Sequence, residues 1–492
     1  MLKKVIVIGS GFAGLSAACF LARSGFKVQV LEKNNQPGGR ARVFKKEGFT
    51  FDMGPSWYWM PDVFERFFQQ FGSSVSEHYN LIRLDPSYRV FFGPEDFFDV
   101  PADWKKLAEA FENWEPGAAR NLEKFLYEAE IKYREGIGNL VFKPGQSIIE
   151  FCNWTTLKGA LQLDLFSNFK KHVTQYFHHP KILKILEFPV LFLGATPEKT
   201  PALYSLMNFA DIKLGTWYPQ FGMGQIVKGI VSVAESLGVE FLYNEEVLAI
   251  EVETNGIARK VVTSSREFDA DVVVANADYA HVDQNLLRPD FRTYSPEYWE
   301  SRVMAPSSLL YYVGINTRVK NLVHHNLFFD EEFALHAHEI YQEPKWPSKP
   351  LFYLSAPSLT DRSLAPEGCE NLFFLIPTAP GLMDNQQVLD SYFQLLADKT
   401  RQLTGNDIIN HLVMKVPYGP RNFVHDYHAH KGNAYGLANT LMQTALFKPS
   451  LKSKKVSNLY FTGQLTVPGP GVPPALISGE VVAGEIGKQF QP

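Results

Sequence analysis

The sequence is poor in cysteine and has no excess of positive charge. Its 492 residues include three cysteines, which lie far apart at Cys19, Cys152 and Cys369. This number and spacing build neither a disulfide framework nor a zinc site, and they are typical of a protein of the reducing cytoplasm. The 48 Lys and Arg residues are balanced by 52 Asp and Glu residues, which gives a net charge of −4. A protein without a basic excess is a poor candidate for binding nucleic acid.

Long uninterrupted apolar runs are also missing. The stretch Val5–Ala22 follows two lysines and superficially resembles a secretion signal, but Gly9, Ser10 and Gly11 interrupt it and a second strand follows at once. We find no other run of the ~18 uncharged apolar residues that a membrane-spanning helix needs. Internal repeats, low-complexity tracts and Ser/His/Asp or Cys/His nucleophile patterns are likewise not found. The sequence therefore leaves the catalytic acid or base unassigned.

What is abundant is apolar and aromatic surface. Hydrophobic residues make up 45% of the chain, charged residues 20%, and Phe, Tyr and Trp together 14%. Such a composition excludes disorder and predicts a well-packed globular protein. At roughly 150 residues per domain, the length indicates two or three domains.

The first 32 residues have the order of elements that is typical of a dinucleotide site. A short β-branched run, Val5–Ile8, predicts a buried parallel strand, and the glycine-rich stretch Gly9–Gly14 follows directly. We expect a helix over Leu15–Ser24 and a second strand over Lys27–Leu31. The second strand ends on an acidic residue, Glu32. This order predicts a Rossmann-like domain.

Each glycine of this pattern, and the acidic residue at its end, has a physical role. Gly9 makes the tight turn, Gly11 lets the backbone approach a pyrophosphate, and Gly14 lets helix and strand pack closely. The helix N-terminus offers free N–H groups and the positive end of its dipole to the phosphates. Glu32 lies where a carboxylate can bind a ribose hydroxyl. The pattern predicts a dinucleotide but does not by itself decide between NAD and FAD.

A second glycine-rich segment bears on that choice. Gly38, Gly39 and Arg40 follow the acidic residue, so the backbone can again approach the cofactor and the Arg40 guanidinium can reach a phosphate. With the later run Phe51–Pro55, this segment resembles the flavoprotein superfamily of amine oxidases and carotenoid desaturases. The resemblance implies that the dinucleotide is FAD.

The C-terminal part of the chain resembles one group of that superfamily. A strand at Asn458–Gly463 enters a glycine turn, the loop Gly469–Pro474 follows, and a helix is predicted from about Ala475 to Ile486. This passage is similar to the closing signature of the bacterial and fungal phytoene desaturase family. The family often has Gly where Pro470 and Pro474 stand here, and an Arg near Lys448. These departures leave the cofactor as it is and leave the exact substrate open.

The resemblance covers essentially the whole chain and implies an FAD-dependent oxidoreductase acting on CH–CH groups. Its substrate would be phytoene or a related C30–C40 isoprenoid, dehydrogenated by hydride transfer to the flavin. A carotenoid isomerase, a saturase or another amine-oxidase-like flavoenzyme remains an alternative, as does a non-enzymatic isoprenoid carrier. The electron acceptor, oxygen or a quinone, stays open. The predicted cofactor-binding residues are Gly9, Gly11, Phe12, Ala13, Gly14, Glu32, Gly38, Gly39, Arg40, Gly54, Pro55, Val247, Gly463, Gly471 and Val472.

The predicted fold class is α/β: a discontinuous Rossmann-like FAD-binding domain with an inserted α+β substrate domain and a helical, membrane-associating part. We assign residues 1–85, 220–288 and 452–492 to the FAD-binding domain. Residues 102–219 form the helical membrane or substrate-entry region, and residues 86–101 and 289–451 form the substrate-binding domain. Strands are expected there at Leu309–Ile315 and Leu372–Ile376.

Two further segments have alternative interpretations. The stretch Phe166–Gly194 is apolar with interspersed lysines, which fits either a buried helix or a face that lies in a membrane interface. Because the family's substrates dissolve in membranes, we expect a cytoplasmic protein bound peripherally to a membrane surface. His425, His428 and His430 look like a metal cluster, but they do not share one helix face, so a polar loop is the preferred interpretation and no metal is expected. His324-His325 is a candidate for a role near the substrate entrance.

Overall fold

The computed structural model describes residues 2–145, 167–191, 196–440, 443–444 and 447–490. Cys152, Phe166 and the end of the predicted membrane segment at 192–194 lie outside these residues. Cys19 is buried and Cys369 is half-buried, and both thiols are free.

The structure contains the following strands and α-helices, numbered in chain order. The strands are β1 (Lys4–Ile8), β2 (Lys27–Glu32), β3 (Val43–Lys46), β4 (Phe49–Asp52), β5 (Leu81–Arg83), β6 (Tyr88–Gly93), β7 (Asp96–Val100), β8 (Trp217–Pro219), β9 (Glu240–Tyr243), β10 (Val247–Val252), β11 (Ala258–Thr263), β12 (Glu267–Asp269), β13 (Val272–Ala275), β14 (Ser307–Ile315), β15 (His325–Phe328), β16 (Phe352–Ser355), β17 (Glu370–Thr378), β18 (Leu412–Tyr418) and β19 (Leu459–Phe461). The α-helices are α1 (Phe12–Arg23), α2 (Pro61–Gln69), α3 (Trp104–Trp114), α4 (Ala118–Glu135), α5 (Phe169–Val173), α6 (Pro180–Leu191), α7 (Leu206–Asn208), α8 (Gly224–Ser236), α9 (Tyr279–His281), α10 (Pro296–Glu300), α11 (Phe333–Tyr341), α12 (Gln386–Thr404), α13 (Pro420–Tyr427) and α14 (Val472–Gln489).

A five-stranded parallel sheet brings distant parts of the chain together. Its strand order is β19-β13-β1-β2-β9, so segments from both ends and from the middle of the chain lie side by side. The strands are short and rich in Val, Ile and Leu because helices cover a parallel sheet on its faces. Helices α1, α8 and α14 pack together on this sheet. This is the Rossmann-like core expected from the sequence.

Helix α1 begins earlier than the sequence pattern indicates. It starts at Phe12, directly after Gly11, whereas the apolar periodicity predicted a start at Leu15. Gly14 therefore lies inside the first turn of the helix. A glycine is unfavourable within a helix by propensity alone, and here the close approach of the strand requires it.

A seven-stranded mixed sheet forms the second layer. Its order is β18-β14-β17-β16-β15-β6-β7, and each neighbouring pair is antiparallel except β15 with β6. Strand β14 contains the predicted strand Leu309–Ile315 and begins before it. Strand β17 contains the predicted strand Leu372–Ile376 and extends beyond it at both ends. Strands β6 and β7 join this sheet next to β15 from the N-terminal part of the chain.

The helical region contains the segment that was expected to contact a membrane. In its described part, Phe169, Phe177 and Leu186 are buried inside the protein. Lys170 forms an ion pair with Glu198, and Lys181 forms one with Asp96. The apolar face of these residues packs against the protein core, which supports the alternative of a buried helix for this part of the segment. Among the residues described, no helix is long and apolar enough to cross a bilayer.

Candidate active site

A cavity of about 830 Å³ lies between the two sheets. One end is formed by the turns that follow the carboxyl ends of the parallel strands, which is where open α/β sheets bind their ligands. The other end is formed by side chains of the seven-stranded sheet, including Leu310 and Leu375. Of the predicted cofactor residues, fourteen line this cavity: Gly9, Gly11, Phe12, Ala13, Glu32, Gly38, Gly39, Arg40, Gly54, Pro55, Val247, Gly463, Gly471 and Val472.

Gly14 is the predicted residue that does not reach the cavity wall. A Cβ at this position would overlap the carbonyl oxygen of Gly9 and lie 2.7 Å from Nδ2 of Asn276. Gly14 thus acts behind the turn, where it lets α1 pack onto β1 and β13. This is the task that the sequence pattern gave to it.

Glu32 is held in place by the turn that it faces. Its Oε2 accepts hydrogen bonds from the backbone N–H of Ser10 at 2.9 Å and from the Ser10 hydroxyl at 2.6 Å. Its Oε1 accepts one from the backbone N–H of Asn34 at 2.9 Å. The carboxylate is buried yet still lines the cavity at the end of β2. These bonds fix its orientation at the position of a ribose-binding acid.

Arg40 places a half-buried positive charge in the cavity wall. Its Nη2 donates to the carbonyl of Asn433 at 3.3 Å, and its guanidinium lies 5.0 Å from the ring centre of Tyr427. Burial lowers the pKa of Arg40, while the carboxylate of Asp278 opposes this shift. Within the described residues, the buried Nε of Arg40 has no hydrogen-bond acceptor. A guanidinium with a spare donor fits a phosphate of a dinucleotide.

The neighbouring positions keep the cavity open for a cofactor. A Cβ on Gly54 would lie 2.6 Å from the carbonyl oxygen of Arg40, so a larger residue would displace the backbone. Pro55 follows it in the wall, and Val247 contributes from the start of β10. Gly54, Pro55 and Val247 thus form an apolar part of the cavity wall.

The C-terminal loop closes the cavity from the opposite side. The backbone N–H of Gly463 donates to Oγ of Ser478 at 3.0 Å, which ties the turn after β19 to α14. Helix α14 begins at Val472, earlier than the predicted Ala475, because Pro473 and Pro474 occupy its first turn, where missing N–H groups cost little. Its positive N-terminal end lines the cavity, where it would stabilise negative charge on a reduced flavin.

Asn276 is a site residue that the sequence pattern missed. It follows β13 directly, and its Nδ2 donates to the carbonyl of Gly9 at 3.2 Å. Its Oδ1 also lies close to Gly463, so one side chain braces the two glycine turns. The available signal in the sequence was a polar residue directly after the apolar run Val272–Ala275.

Beyond the glycine turns the cavity is apolar and aromatic. Trp57, Trp59, Met207, Leu310 and Phe373 are among its lining residues. The Trp57 ring packs against those of several neighbours, namely Trp59, Tyr88, Phe188, His325 and Tyr353. A wall of this kind fits a long apolar ligand better than a charged or sugar-like one. The run Trp57-Tyr58-Trp59 in the sequence was the signal for it.

The histidines selected from the sequence lie in two different places. His425 lies beside Asp426, whereas His428 pairs with Glu246 at 2.9 Å and stacks on His281 at 3.9 Å between ring centres. Across the residues that the structure describes, no three metal-ligating side chains come together. His324 and His325 are buried behind the aromatic wall and do not themselves line the cavity.

Comparison with known proteins agrees with this geometry. The family model described as flavin containing amine oxidoreductase matches residues 12–487. Carotenoid 3,4-desaturase of Haloarcula japonica is 42% identical over 482 residues, which cover 98% of this chain and 97% of the relative. The 4,4'-diapophytoene desaturase (4,4'-diaponeurosporene-forming) of Staphylococcus aureus is 32% identical over 506 residues, covering 99% of each chain.

A solved structure supports the fold alone. An oxidoreductase from Methanosarcina mazei superposes with a TM-score of 0.63 at 15% identity, covering 98% of this chain and all of that one. The glycine turns, the spare donor of Arg40 and the helix end at Val472 fit the flavin dinucleotide that the family carries. The chain therefore belongs to the flavin-containing amine oxidoreductase family, alongside the carotenoid desaturases, and its cofactor is FAD.

Proposed function

We propose that this protein is an FAD-dependent carotenoid desaturase, which removes two hydrogens from adjacent carbons of a long isoprenoid. The observation that carries the proposal is the cavity itself, because one continuous space joins the dinucleotide turns at Gly9 and Gly463 to the aromatic wall around Trp57. The identity with two carotenoid desaturases over essentially the full chain supports the same reaction class.

In this reaction the protein binds the polyene, orients it beside the cofactor and excludes water. Bound FAD supplies the hydride acceptor. The aromatic and aliphatic side chains hold the polyene in an extended position beside the cofactor, and the apolar lining keeps water from the reacting carbons. Desaturation of this kind requires no strong nucleophile, which agrees with the lack of a nucleophile pattern in the sequence.

Expression in cells that accumulate a colourless or partly desaturated carotenoid tests the proposal. Two parallel hosts, one with phytoene and one with an already coloured acyclic carotenoid, separate early from late desaturation. We expect the extracted pigment to have a longer conjugated system, seen as a red-shifted absorption spectrum. Its mass should be lower by about 2 Da for each desaturation, because each one removes two hydrogens. Unchanged substrate in both hosts would contradict the proposal.

Product mass separates desaturation from the alternative reactions on this scaffold. An isomerase leaves the mass unchanged, and a saturase raises it. Anaerobic mixing with substrate adds a second measurement, because desaturation bleaches the oxidised flavin spectrum and isomerisation gives no net bleaching. Addition of oxygen or of a quinone afterwards shows which of the two restores the oxidised spectrum.

We also propose that the protein works in the cytoplasm, bound peripherally to a membrane surface. The chemistry of the substrate supports this, since a long isoprenoid partitions into bilayers rather than water. Ile137, Leu140 and Val141 form part of the apolar cavity wall at the end of the helical region, which favours this side as the entrance. Co-sedimentation with liposomes of anionic and of neutral lipid tests the proposal, and protein that stays in the supernatant with both would disprove it.

A further inference from the structure

One tyrosine in the cavity wall is paired with a buried histidine behind the wall. Tyr353 of β16 lines the cavity, and its hydroxyl oxygen lies 2.6 Å from Nδ1 of His325 on β15. The two strands are antiparallel neighbours with His325 opposite Ser355, so His325 and Tyr353 project from the same face of the sheet. The phenol therefore stands between the cavity and the imidazole.

His325 is enclosed on every side by protein. Its ring stacks on Trp57 with 4.1 Å between ring centres and an angle of 13°. Burial and the neighbouring His324 hold the pKa of His325 well below its usual range, so its imidazole is neutral at rest and its Nδ1 can accept the hydrogen bond of the Tyr353 hydroxyl. Within the described residues, Nε2 of His325 has no hydrogen-bond partner. Packing alone does not require such a group, because a buried polar atom without a partner is costly.

Further polar groups continue from this pair away from the cavity. The rings of His324 and His325 lie 4.4 Å apart between centres, and Nδ1 of His324 lies 2.7 Å from the Thr360 hydroxyl. Burial lowers the pKa of His324 to about 3, while the carboxylate of Asp361 opposes the shift. Asp361 in turn accepts a hydrogen bond from the backbone of Phe221, whose side chain is exposed. Polar side chains thus extend from the pair toward the protein surface.

We propose that Tyr353 is the catalytic residue that takes the proton from the substrate carbon, with His325 as the positioning residue that receives the phenol proton. The inference rests on the proposed desaturation. One C–H bond breaks with loss of hydride to the bound FAD. The adjacent C–H bond breaks, its electron pair forms the new C=C bond, and its proton goes to the Tyr353 oxygen. The phenol proton moves to Nδ1 of His325, which becomes an imidazolium.

Anaerobic rapid mixing of the FAD-loaded protein with its carotenoid tests this assignment. The rate of flavin bleaching is measured for the wild type, Tyr353→Phe, His325→Asn and the double variant, together with carotenoid affinity and FAD content. Tyr311→Phe is the matched control, because it removes another buried hydroxyl of the same sheet, which donates to the carbonyl of Leu389 at 2.6 Å and lies outside the cavity wall.

We expect each single variant to bleach at least about 100-fold more slowly, in the range of a lost general base, with carotenoid affinity and FAD content within threefold of the wild type. The double variant should be no slower than the singles, because the two residues act as one unit. Tyr311→Phe should stay within threefold. Should His325→Asn fail to fold, Tyr353→Phe and its control decide alone.

Two results would overturn the assignment. The first is bleaching of Tyr353→Phe within threefold of the wild type. The second is a double variant whose loss is the product of the single losses, which would show independent roles. Both leave the proposed function intact, since the wild type still bleaches. A wild-type protein that no carotenoid bleaches overturns the proposed function and the assignment with it.

Discussion

Arg40 shows how a single side chain can prepare a binding site. The structure half-buries it, gives one of its N–H groups a carbonyl, and stacks it on Tyr427, while its Nε has no acceptor among the described residues. An unpaired buried donor on a cation is unfavourable in the empty protein. Binding of a phosphate at this position removes that cost, so Arg40 contributes to the affinity for the cofactor.

Replacement of Arg40 should therefore weaken FAD binding. For Arg40→Met we expect an affinity at least 10-fold lower, which corresponds to the loss of a charge-assisted hydrogen bond of about 1.5–3 kcal/mol. Arg23→Met is the control, because Arg23 lies at the end of α1 and contacts Gln70 outside the cavity. Titration of the apoprotein with FAD measures both, and equal affinities would contradict the role of Arg40.

The buried carboxyl group of Asp211 should make the stability of the protein depend on pH. It is buried, accepts hydrogen bonds from the hydroxyls of Tyr88 at 2.8 Å and Thr216 at 3.1 Å, and burial raises its pKa from 3.8 to about 6. The folded state thus binds a proton more tightly than the unfolded state. The wild type should lose stability as the pH rises from about 4 through about 6.

The variant Asp211→Asn keeps the shape and cannot ionise; one hydroxyl can still donate to its amide oxygen, while the other must accept from its amide N–H. The difference in the free energy of unfolding between Asp211→Asn and the wild type should therefore change with pH. Between pH 4 and pH 7.5 it should shift in favour of the variant by up to about 3 kcal/mol, at 1.36 kcal/mol per pKa unit. Urea unfolding of both proteins at the two pH values measures this. A difference that does not change with pH would count against the raised pKa.

At this scale the sequence predicted the residues that follow a general pattern and missed those that depend on the fold. The glycines and Glu32 have fixed spacings along the chain, so a pattern can find them. Asn276 and Tyr353 come from strands far away in sequence and meet the cofactor region only through sheet pairing. No local spacing records that meeting.

Among the elements, helices α1 and α14 cross in close contact beside the cavity. A Cβ on Gly479 of α14 would overlap the carbonyl oxygen of Ala13 and lie 2.6 Å from the backbone nitrogen of Ala17. The Ser16 hydroxyl donates to the carbonyl of Leu476 at 2.6 Å across the same contact. The two helices therefore touch through backbone atoms, which have little freedom to move.

For this reason Gly479→Ala should push the helices apart. We expect a loss of about 3 kcal/mol of stability or more, because overpacking against backbone cannot relax by rotamer changes, together with weaker FAD binding. Gly484→Ala is the matched control on the same helix, since a Cβ there meets nothing within 4 Å and alanine favours the helix by about 1 kcal/mol. Thermal unfolding should move in opposite directions for the two variants, and a Gly479→Ala protein as stable as the wild type would refute the packing argument.

Element types were easier to predict than their ends or their surroundings. The buried strands and helix α1 were predicted from apolar periodicity, but α1 and α14 both begin three residues earlier than expected because their first turns hold glycine or proline. The lysine-containing segment 166–194 could equally be buried or membrane-facing by composition. Lys170 and Lys181 form ion pairs with Glu198 and Asp96, which a linear pattern cannot show.

For the whole molecule, one cofactor site draws on the entire length of the chain. The cavity wall includes residues near 10, near 247 and near 470. Binding of FAD to the folded state alone stabilises it by mass action, by about 2.7 kcal/mol at 100 times the dissociation constant. We expect removal of FAD to lower the unfolding midpoint, and the holoprotein to exchange amide hydrogens more slowly at residues 9–14 and 463–472 together.

Hydrogen exchange measured with and without FAD checks this expectation. Because the five strands belong to one sheet, protection at the two ends should rise in the same titration and with the same midpoint. Protection that appears at the N-terminal turn alone would show that the C-terminal loop does not share the site. The resemblance of the whole chain to one family had implied such a split domain, and periodicity alone had not.

The parallel sheet also has a consequence for how the protein is made. Strand β1 leaves the ribosome first, but β19, which completes the sheet and carries the turn at Gly463, is synthesised some 450 residues later. At about 5–20 residues per second, this delay is about 20 to 90 seconds. A nascent chain therefore has a glycine turn without its closing wall, and FAD can be incorporated only when synthesis is nearly complete. Until then the edge of β13 lacks its partner strand β19, and chaperones can bind this exposed edge.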